Sequence, residues 1–349
     1  MTSTSPNPPT VLRAHTPAEL LALLPYQFGY QPERSIVITC VDGGRAGLMA
    51  RVDLPPEGVE AHHLRTVLRS ALLREDPPAA LVIGYENTTD EALPGVLAAA
   101  HVLEELGITP VGPLIVRDDH WFSVDLLDGE VCGVGEPLPE PADVPAVAAF
   151  VGRGVSPLAT RAEVAAQLAP TGTWSCLLVE LDLLRECGGP STPEAASAWA
   201  EVLDTSDGAP EVGDLGDRTL AAAALSLTDT PWRDTILARI CVGSMSWEAT
   251  DPRFREVVAA AIPRPVRDPQ EGVTLMALRT RLCALARILP DPVVVEVLAL
   301  IAHSAWWDGD GTMARVACDR ALVIDPDHSM CGLLIRLLDH GVGPEPSPG

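Results

Sequence analysis

Arg51 and Arg117 are the residues whose types and positions best suit ligand binding, because each stands at or near the end of a β-type run. If the runs ending at Asp53, Gly84 and Arg117 lie parallel in one sheet, their carboxyl ends share one edge. Open α/β folds bind ligands at that edge. Two guanidinium groups and the N–H groups of a helix opening at Thr88 would suit a phosphate or a carboxylate. The predicted ligand-binding set is Arg51, Asp53, Gly84, Tyr85, Glu86, Asn87, Thr88, Thr89 and Arg117.

The same residues also admit a structural interpretation. Arg51 and Arg117 can pair with Asp53, Asp118 or Glu86 and hold the strand ends together. Ion pairs of this kind are common without function. The two interpretations differ in geometry, since side chains that converge on a concave pocket favour a ligand and flat mutual pairs favour a structural role.

The remaining motifs predict no catalytic residue and no metal site. The sequence has no glycine-rich nucleotide-binding loop, no lysine for a phosphate loop and no G-x-S-x-G elbow. The run Asp308-Gly-Asp310-Gly-Thr312 resembles the start of a calcium loop, but Met313 stands where such loops require glycine. A capped turn between helices is the better interpretation. The eight cysteines include no C-x-x-C pair and are expected to be mostly buried apolar residues. We also expect no cofactor.

The charge balance narrows the possible partners. The 349 residues contain 48 Asp and Glu against 24 basic residues, all of them arginine, which gives a net charge of -24. No basic residues are clustered, so a nucleic-acid partner is not expected. The sequence shows neither a secretion signal nor an apolar run long enough to span a bilayer, which predicts a cytoplasmic protein without membrane contact.

The first half of the chain alternates between helical and strand patterns. A capped helix opens at Thr16, and Asp42-Gly43-Gly44 joins strands over 35–41 and 47–54 as a hairpin. Further patterns predict helices over 59–74 and 89–106 and strands over 80–83, 111–116 and 121–126. This order predicts an α/β domain with a mixed sheet.

The second half is predicted to be an all-α domain that ends in a tetratricopeptide-like helical hairpin. Ala314, Cys318, Ala321 and Pro326 follow the spacing of one such repeat, although a single hairpin packed on a bundle explains them without an array. The predicted organisation is a disordered tip over 1–12, a mixed α/β domain over 13–132, a Pro-rich linker or edge segment over 133–145, a helical domain over 146–343 and a disordered tail over 344–349.

Three stretches resemble one known family. They are LLALLPYQFGYQPERSIVI with Arg51-Val-Asp53-Leu-Pro55 after it, GRGVSPLATRAEVAAQLAP, and AWWDGDGTMARVACDRALVIDPDHSM. They are similar to the bacterial domain-of-unknown-function family numbered 4192, and the resemblance spans about Ala18 to Pro344. That family has no established activity, so the resemblance implies membership and no particular reaction.

Two classes of function are open at this point. The first is a non-catalytic binding or adaptor protein that engages a protein partner or a second copy of itself. The alternative is an enzyme or sensor for a small anionic metabolite, bound at the carboxyl edge of the sheet. The first class is preferred, because the sequence offers no nucleophile with its base, no metal set and no phosphate loop.

Overall fold

The computed structural model describes residues 14–43, 45–54, 62–152, 154–172 and 175–344. Contacts divide the chain into two compact units, Met1–Ala159 and Thr160–Gly349. The predicted tips over 1–12 and 344–349 lie outside the described residues, except for residue 344. Gly44 of the predicted hairpin turn and the predicted helical residues 59–61 also lie outside them.

The first unit contains a mixed sheet, as predicted, with helices packed on both of its faces. The sheet has six strands, one more than the five strand patterns in the sequence. The strand order is β2-β1-β3-β4-β5-β6, with β3 and β4 parallel and the other described neighbours antiparallel. The elements are α1 Pro17–Phe28, β1 Ser35–Asp42, β2 Arg45–Asp53, α2 His62–Glu75, β3 Ala79–Tyr85, α3 Leu93–Glu105, β4 Thr109–Arg117, β5 His120–Asp125, β6 Glu130–Pro137, a 3-10 turn Pro141–Asp143 and α4 Pro145–Val151.

Alternation of side chains along the strands gives the sheet two apolar faces. One face carries Ile36 and Ile115 and packs against α2 and α3. The other carries Val37 and Ile83 and packs against α1. We call them the α3 face and the α1 face.

The predicted start of the third helix at residue 89 was wrong, because α3 begins at Leu93. Asp90 has a φ of 66°, in the left-handed region, which interrupts a right-handed helix. The N–H of Glu91 donates to the carbonyl of Thr88 at 3.2 Å and closes a turn ahead of the helix. The residues expected to open the helix therefore form an exposed turn.

The boundary between the units also lies later than the sequence pattern places it. β6 is the outermost strand of the sheet and includes the first residues of the predicted 133–145 segment. The predicted helical domain starts at residue 146, but α4 packs on α1 through Val147 and Phe150. Leu158 and Tyr30 form an isolated parallel bridge. These contacts place the chain up to Ala159 in the first unit.

The second unit is helical, as predicted. Its helices are α5 Arg161–Ala166, α6 Ser175–Glu186, α7 Thr192–Val202, α8 Asp217–Ser226, α9 Thr230–Ile240, α10 Pro252–Ala261, α11 Leu275–Ile288, α12 Val294–Trp307, α13 Gly311–Ile324 and α14 Ser329–Asp339, with 3-10 turns at Val212–Asp214 and Trp247–Ala249. None of the described helices is both long and apolar enough to cross a membrane.

Side-chain caps start several of these helices, as their sequences indicate. Thr160 accepts from the N–H of Glu163, and Asp251 accepts from the N–H of Arg253. The calcium-like run is the turn between α12 and α13, where Asp310 accepts from the N–H of Met313 at 2.9 Å. The capped-turn interpretation is confirmed, whereas the tetratricopeptide likeness of α12 to α14 stays a prediction.

Arginine serves as a carbonyl cap at helix ends in this lysine-free chain. Arg281 donates to the carbonyls of Glu201 and Val202 at the end of α7 and to that of Pro210 beyond it. Arg239 donates to the carbonyls of Ala259, near the end of α10, and Ile262, directly after it. A planar guanidinium presents several fixed donors, which one ammonium group does not match. Some of the arginines therefore stabilise the fold by binding backbone carbonyls.

Candidate functional site

The ends of β2, β3 and β4 reach one edge of the sheet, as the sequence predicts. β1 is antiparallel to both β2 and β3, and β3 is parallel to β4, so these three strands run in one direction. β1 lies between β2 and β3, and its first residue, Ser35, pairs with both Asp53 and Tyr85. The predicted strand ends therefore lie in one row along this edge, with β1 between the ends of β2 and β3.

The predicted residues divide between the two faces at that edge. Arg51 lies opposite Val37, and Tyr85 packs with the apolar residues of the α1 face. Gly84 pairs with Ile115 of the α3 face, and Glu86 and Arg117 lie on that side as well. The two arginines consequently do not converge on a common pocket.

On the α3 face, Arg117 and Glu86 form a buried ion pair. Arg117 Nη1 lies 2.6 Å from Glu86 Oε1, and the Glu86 side chain is fully buried. Glu86 Oε2 accepts from the N–H of Ala92 at 2.9 Å, directly before α3. The Arg117 guanidinium also lies 4.9 Å from the ring centre of Phe122. The cluster holds β3, β4 and α3 together, and its side chains have little remaining capacity to bind an anion.

Gly84 has a packing role at this edge. A Cβ at this position would lie 2.7 Å from Val96 Cγ2 and 2.8 Å from Ala92 Cβ. Gly84 belongs to the ligand-binding set that the sequence predicts, but the group that approaches its backbone is α3. Glycine is required here because any side chain would displace the helix.

Asn87, Thr88 and Thr89 are exposed in the turn between β3 and α3. The N–H of Asn87 donates to Glu91 Oε2 at 3.1 Å, and Glu91 also pairs with Arg34. Burial opposes ionisation of Glu91, but hydrogen bonds from Arg34 and from the backbone of Asn87 outweigh it and lower the pKa of the carboxyl. The Glu91 carboxylate thus accepts from a backbone N–H of the turn that the sequence predicts to bind a ligand.

On the α1 face, Arg51 is almost enclosed by the chain. Its Nη1 lies 2.7 Å from Asp53 Oδ1, and its Nη2 donates to the carbonyl of Glu33 at 3.0 Å. The guanidinium carbon lies 5.5 Å from the ring centre of Tyr30. Asp53 itself is exposed, with 67% of its side-chain surface open to solvent.

Sequence reasoning missed the segment from Gly29 to Arg34, which lies along the same edge. The N–H of Leu54 donates to the carbonyl of Arg34 at 2.8 Å, and the N–H of Gln31 donates to that of Leu158 at 2.9 Å. Tyr30 and Arg34 contribute an aromatic face and a cation there. The signal that could have found them is their place inside the first stretch that resembles a known family.

Several polar atoms on the α1 face have no partner. Among the described residues, eight buried side-chain nitrogen or oxygen atoms make no hydrogen bond. Burial raises the pKa of the Tyr85 hydroxyl, so it stays protonated and able to donate. Five of the eight atoms belong to the α1 face: Ser35 Oγ, Thr39 Oγ1, Arg51 Nε, Tyr85 Oη and Trp121 Nε1.

A polar cluster in the second unit joins α9, α12 and α14. Glu296 accepts from Arg233 Nη1 at 3.0 Å and lies 3.4 Å from His328 Nε2. Burial opposes ionisation of Glu296, but the hydrogen bonds from His328 and Arg233 outweigh it and lower its pKa. His328 Nδ1 accepts from the N–H of Cys331 at 3.3 Å and caps α14. The Cys331 thiol is fully buried, and a hydrogen bond with Cys318 together with burial raises its pKa, so it is not a nucleophile.

One protein-family model covers almost the whole chain. The family model described as Domain of unknown function (DUF4192) matches residues 17–345. The chain belongs to this family. No curated protein and no solved structure matches it.

Membership in DUF4192 does not indicate a reaction. Any chemical role therefore has to be argued from the geometry of the candidate site. Two of the stretches that resemble the family meet at the sheet edge, where the N–H of Leu158 donates to the carbonyl of Gly29 at 2.9 Å. No group of three or more His, Cys, Asp or Glu side chains among the described residues could hold a metal ion. The edge combines two ion pairs, Arg51 with Asp53 and Arg117 with Glu86, with several buried polar atoms that make no hydrogen bond among the described residues.

Proposed function

We propose that this protein is a non-catalytic binding protein that acts through protein–protein contacts. The observation that carries the proposal is an exposed apolar stripe on α6. We call Cys176, Val179 and Leu183 on α6, together with Cys187 directly after the helix, the α6 stripe, and all four side chains are exposed. Val179 has 56% and Leu183 45% of its surface open to solvent. Exposed apolar patches on a folded chain mark sites of contact with other molecules.

The α6 helix is apolar on two sides. Steps of three and four residues place the stripe along one side of the helix. Leu177, Leu181 and Leu184 form the other side, which is buried where α6 packs on α8. Four charged residues of α6 lie between its two apolar sides, so the stripe is a separate apolar strip that the packing on α8 leaves exposed. The stripe therefore supports a contact that the second unit does not supply by itself.

A second copy of this chain is the occupant that fits the stripe. Homo-oligomers mostly form two-fold contacts in which one patch meets itself. An antiparallel pair of α6 helices would place Val179 of one copy opposite Leu183 of the other. It would also bring Glu186 to the first turn of the other helix, which has no acidic residue of its own. A carboxylate stabilises a helix N-terminus, so the antiparallel pairing complements the charges at both ends.

The overall charge determines how this association should respond to salt. Two chains with a net charge of -24 repel each other at long range. Salt screens this repulsion, and the apolar contact itself is not weakened by screening. We therefore expect dimerisation to strengthen as ionic strength rises.

Sedimentation equilibrium of the full chain tests the proposal. The natural protein should dimerise with rising concentration and more strongly with salt. The double variant Val179→Asp, Leu183→Asp should stay monomeric, because two charges in the stripe would be buried at the contact. The matched control is Val323→Asp, Leu333→Asp, which adds the same charge at residues that are 83% and 51% exposed on α13 and α14.

The control should dimerise like the natural chain once the added charge is screened. A natural chain that stays monomeric at every concentration and salt level would overturn the proposal. Equal loss of dimerisation in the two double variants would also overturn it, since charge and not the stripe would then be responsible. A dimer that survives the stripe substitutions would place the contact on another surface.

The alternative function, an enzyme or sensor for a small anionic metabolite held between Arg51 and Arg117, has weaker support. Arg117 is paired with Glu86, and Arg51 with Asp53, at 2.6 and 2.7 Å. The two arginines lie on opposite faces of the sheet. A thermal-shift series with phosphate and nucleotides on the natural chain and on an Arg51→Ala, Arg117→Ala variant tests it. A shift that disappears only in the variant would restore the alternative.

A further inference from the structure

We infer that the outer edge of β6 binds an extended peptide segment in which basic and apolar residues alternate. We call this surface, formed by Glu130–Pro137, the β6 edge. The segment would pair with β6 through backbone hydrogen bonds and add one more strand to the sheet. This inference rests on the first unit, does not require the α6 stripe, and concerns a partner other than a second copy of the chain.

The β6 edge is open. β6 is the last strand of the sheet, and among the described residues β5 is the only element that pairs with it. No residue of β6 is buried. An edge strand presents backbone N–H and C=O groups without a partner, and these groups can pair with another strand. Strand addition at such an edge is one of the ways in which a sheet binds an extended peptide.

The two faces of β6 differ in their chemistry. Glu136 pairs with Trp121, which packs on the α1 face. Glu130 pairs with Asp125, which lies four residues from Trp121 along β5 and therefore on the same face. Val131 packs with the apolar residues of the α3 face. An added strand would thus meet acidic side chains on one face and an apolar side chain on the other, which suits an alternation of basic and apolar residues.

The acidic residues near this edge have no cationic partner in the described chain. Residues 118–152 contain eight Asp and Glu and neither Arg nor Lys. Asp128, Glu130 and Glu136 form no ion pair with any described residue. Cross-strand pairs of opposite charge stabilise a sheet. Basic side chains on an added strand would supply the missing cations.

The same acidic residues disfavour a second copy of this chain at the β6 edge. Pairing of two β6 strands in register would bring Glu130 and Glu136 of one copy beside the acidic residues of the other. Like charges on opposed strands destabilise a sheet, and two chains with a net charge of -24 also repel each other at long range. Charged residues on an edge strand protect it from such pairing. A basic segment is attracted by these charges instead.

A bulge limits the regular part of the pairing. β6 advances four residues between Cys132 and Glu136, whereas β5 advances two residues over the same stretch. Gly133 begins the bulge with a φ of 70°, in the left-handed region. Val134 within the bulge has 95% of its surface exposed. We therefore expect the added strand to pair with Glu130–Cys132 and to contact Val134 beyond them.

Fluorescence anisotropy of a dye-labelled hexapeptide that alternates arginine and valine tests the β6 edge when the full chain is titrated in at low salt. This peptide should bind. A hexapeptide with its three arginines ahead of its three valines should bind several-fold more weakly, because its charges cannot all lie on one face of a strand. Methylation of every backbone nitrogen in the alternating peptide should abolish binding, since it removes the N–H donors and keeps the charge.

Two double variants locate the binding on the chain. Glu130→Gln, Glu136→Gln should weaken binding of the alternating peptide several-fold, because it removes two carboxylates from the face that the arginines would contact. The matched control, Glu211→Gln, Glu271→Gln, removes the same charge from two exposed residues of the second unit and should bind like the natural chain. Both variants should keep the natural melting temperature, since all four side chains are exposed.

The response to salt separates this inference from self-association through the α6 stripe. Peptide binding should weaken as ionic strength rises, because screening reduces the attraction between opposite charges. Dimerisation through the stripe is expected to strengthen under the same conditions. The variant Val179→Asp, Leu183→Asp should bind the alternating peptide at least as well as the natural chain does, so each proposal can fail without the other.

Four outcomes would overturn the inference. Failure of the alternating peptide to bind the natural chain would mean that the β6 edge does not accept a strand. Equal binding of the peptide with separated arginines and valines would reduce the effect to general charge. Undiminished binding of the methylated peptide would exclude backbone pairing. Equal affinities of the two glutamine variants would place the contact elsewhere on the chain.

Discussion

Arg117 and Glu86 show how one ion pair fixes the sheet edge at the scale of single residues. The pair joins β4 to β3, and the second oxygen of Glu86 holds the N–H of Ala92 ahead of α3. Removing one member of a buried pair leaves the other charge without compensation, which costs far more than the pair contributes as a whole. The arginine is therefore expected to be required for stability whatever the protein binds.

Arg117→Met should lower the free energy of unfolding of the first unit by about 3–5 kcal/mol, because Glu86 is then left as an uncompensated buried charge. Arg34→Met at the same edge is the control, since the Arg34 side chain is 54% exposed in its pair with Glu91. This control should cost about 1 kcal/mol or less. Urea denaturation followed by circular dichroism measures both. Equal losses would show that the Arg117 pair is no more important than a surface contact.

At the scale of elements, the close approach of α3 to β3 depends on Gly84. Gly84→Ala should cost about 1–3 kcal/mol, since the added methyl overlaps Val96 and Ala92 and forces the helix outward. Gly47→Ala is the control in the same sheet, because its Cβ would lie 3.8 Å from Cys40, at ordinary contact distance. Denaturant midpoints of the two variants compare them. A Gly84 variant as stable as the Gly47 variant would mean that α3 can move without penalty.

The directions of the strands could be predicted from the sequence, but the faces of their side chains could not. Crossover patterns between Asp53, Gly84 and Arg117 are sufficient to infer that these strand ends share an edge. The pairing of Ser35 with both Asp53 and Tyr85 depends on long-range register, which one sequence does not reveal. That register places Arg51 and Arg117 on opposite faces of the sheet.

The surface of α6 shows the same limit of prediction from sequence. Its sequence places apolar residues on two sides, with Leu177 and Leu181 on one and Val179 and Leu183 on the other. Periodicity identifies both sides as apolar, but only packing decides which side the second unit covers. The buried side could be expected from the sequence, whereas the exposed stripe emerges only from the fold.

At the scale of the whole molecule, the acidic chain presents the α6 stripe, which we propose a second copy covers. The charge of -24 opposes association at long range, so the contact has to come from the stripe itself. The exposed thiols of Cys176 and Cys187 stand at its two ends. Antiparallel pairing of two α6 helices would bring Cys176 of one copy close to Cys187 of the other.

Mapping the disulfides formed when the full chain is oxidised under mild conditions tests the self-association most directly. Exposed Cys132 on β6 serves as an internal control for random collision. Mass spectrometry of the linked dimers should find Cys176 joined to Cys187 between copies, with little linkage through Cys132. Links of Cys176 to Cys176, links mainly through Cys132, or a chain that stays unlinked would contradict antiparallel pairing through the α6 stripe.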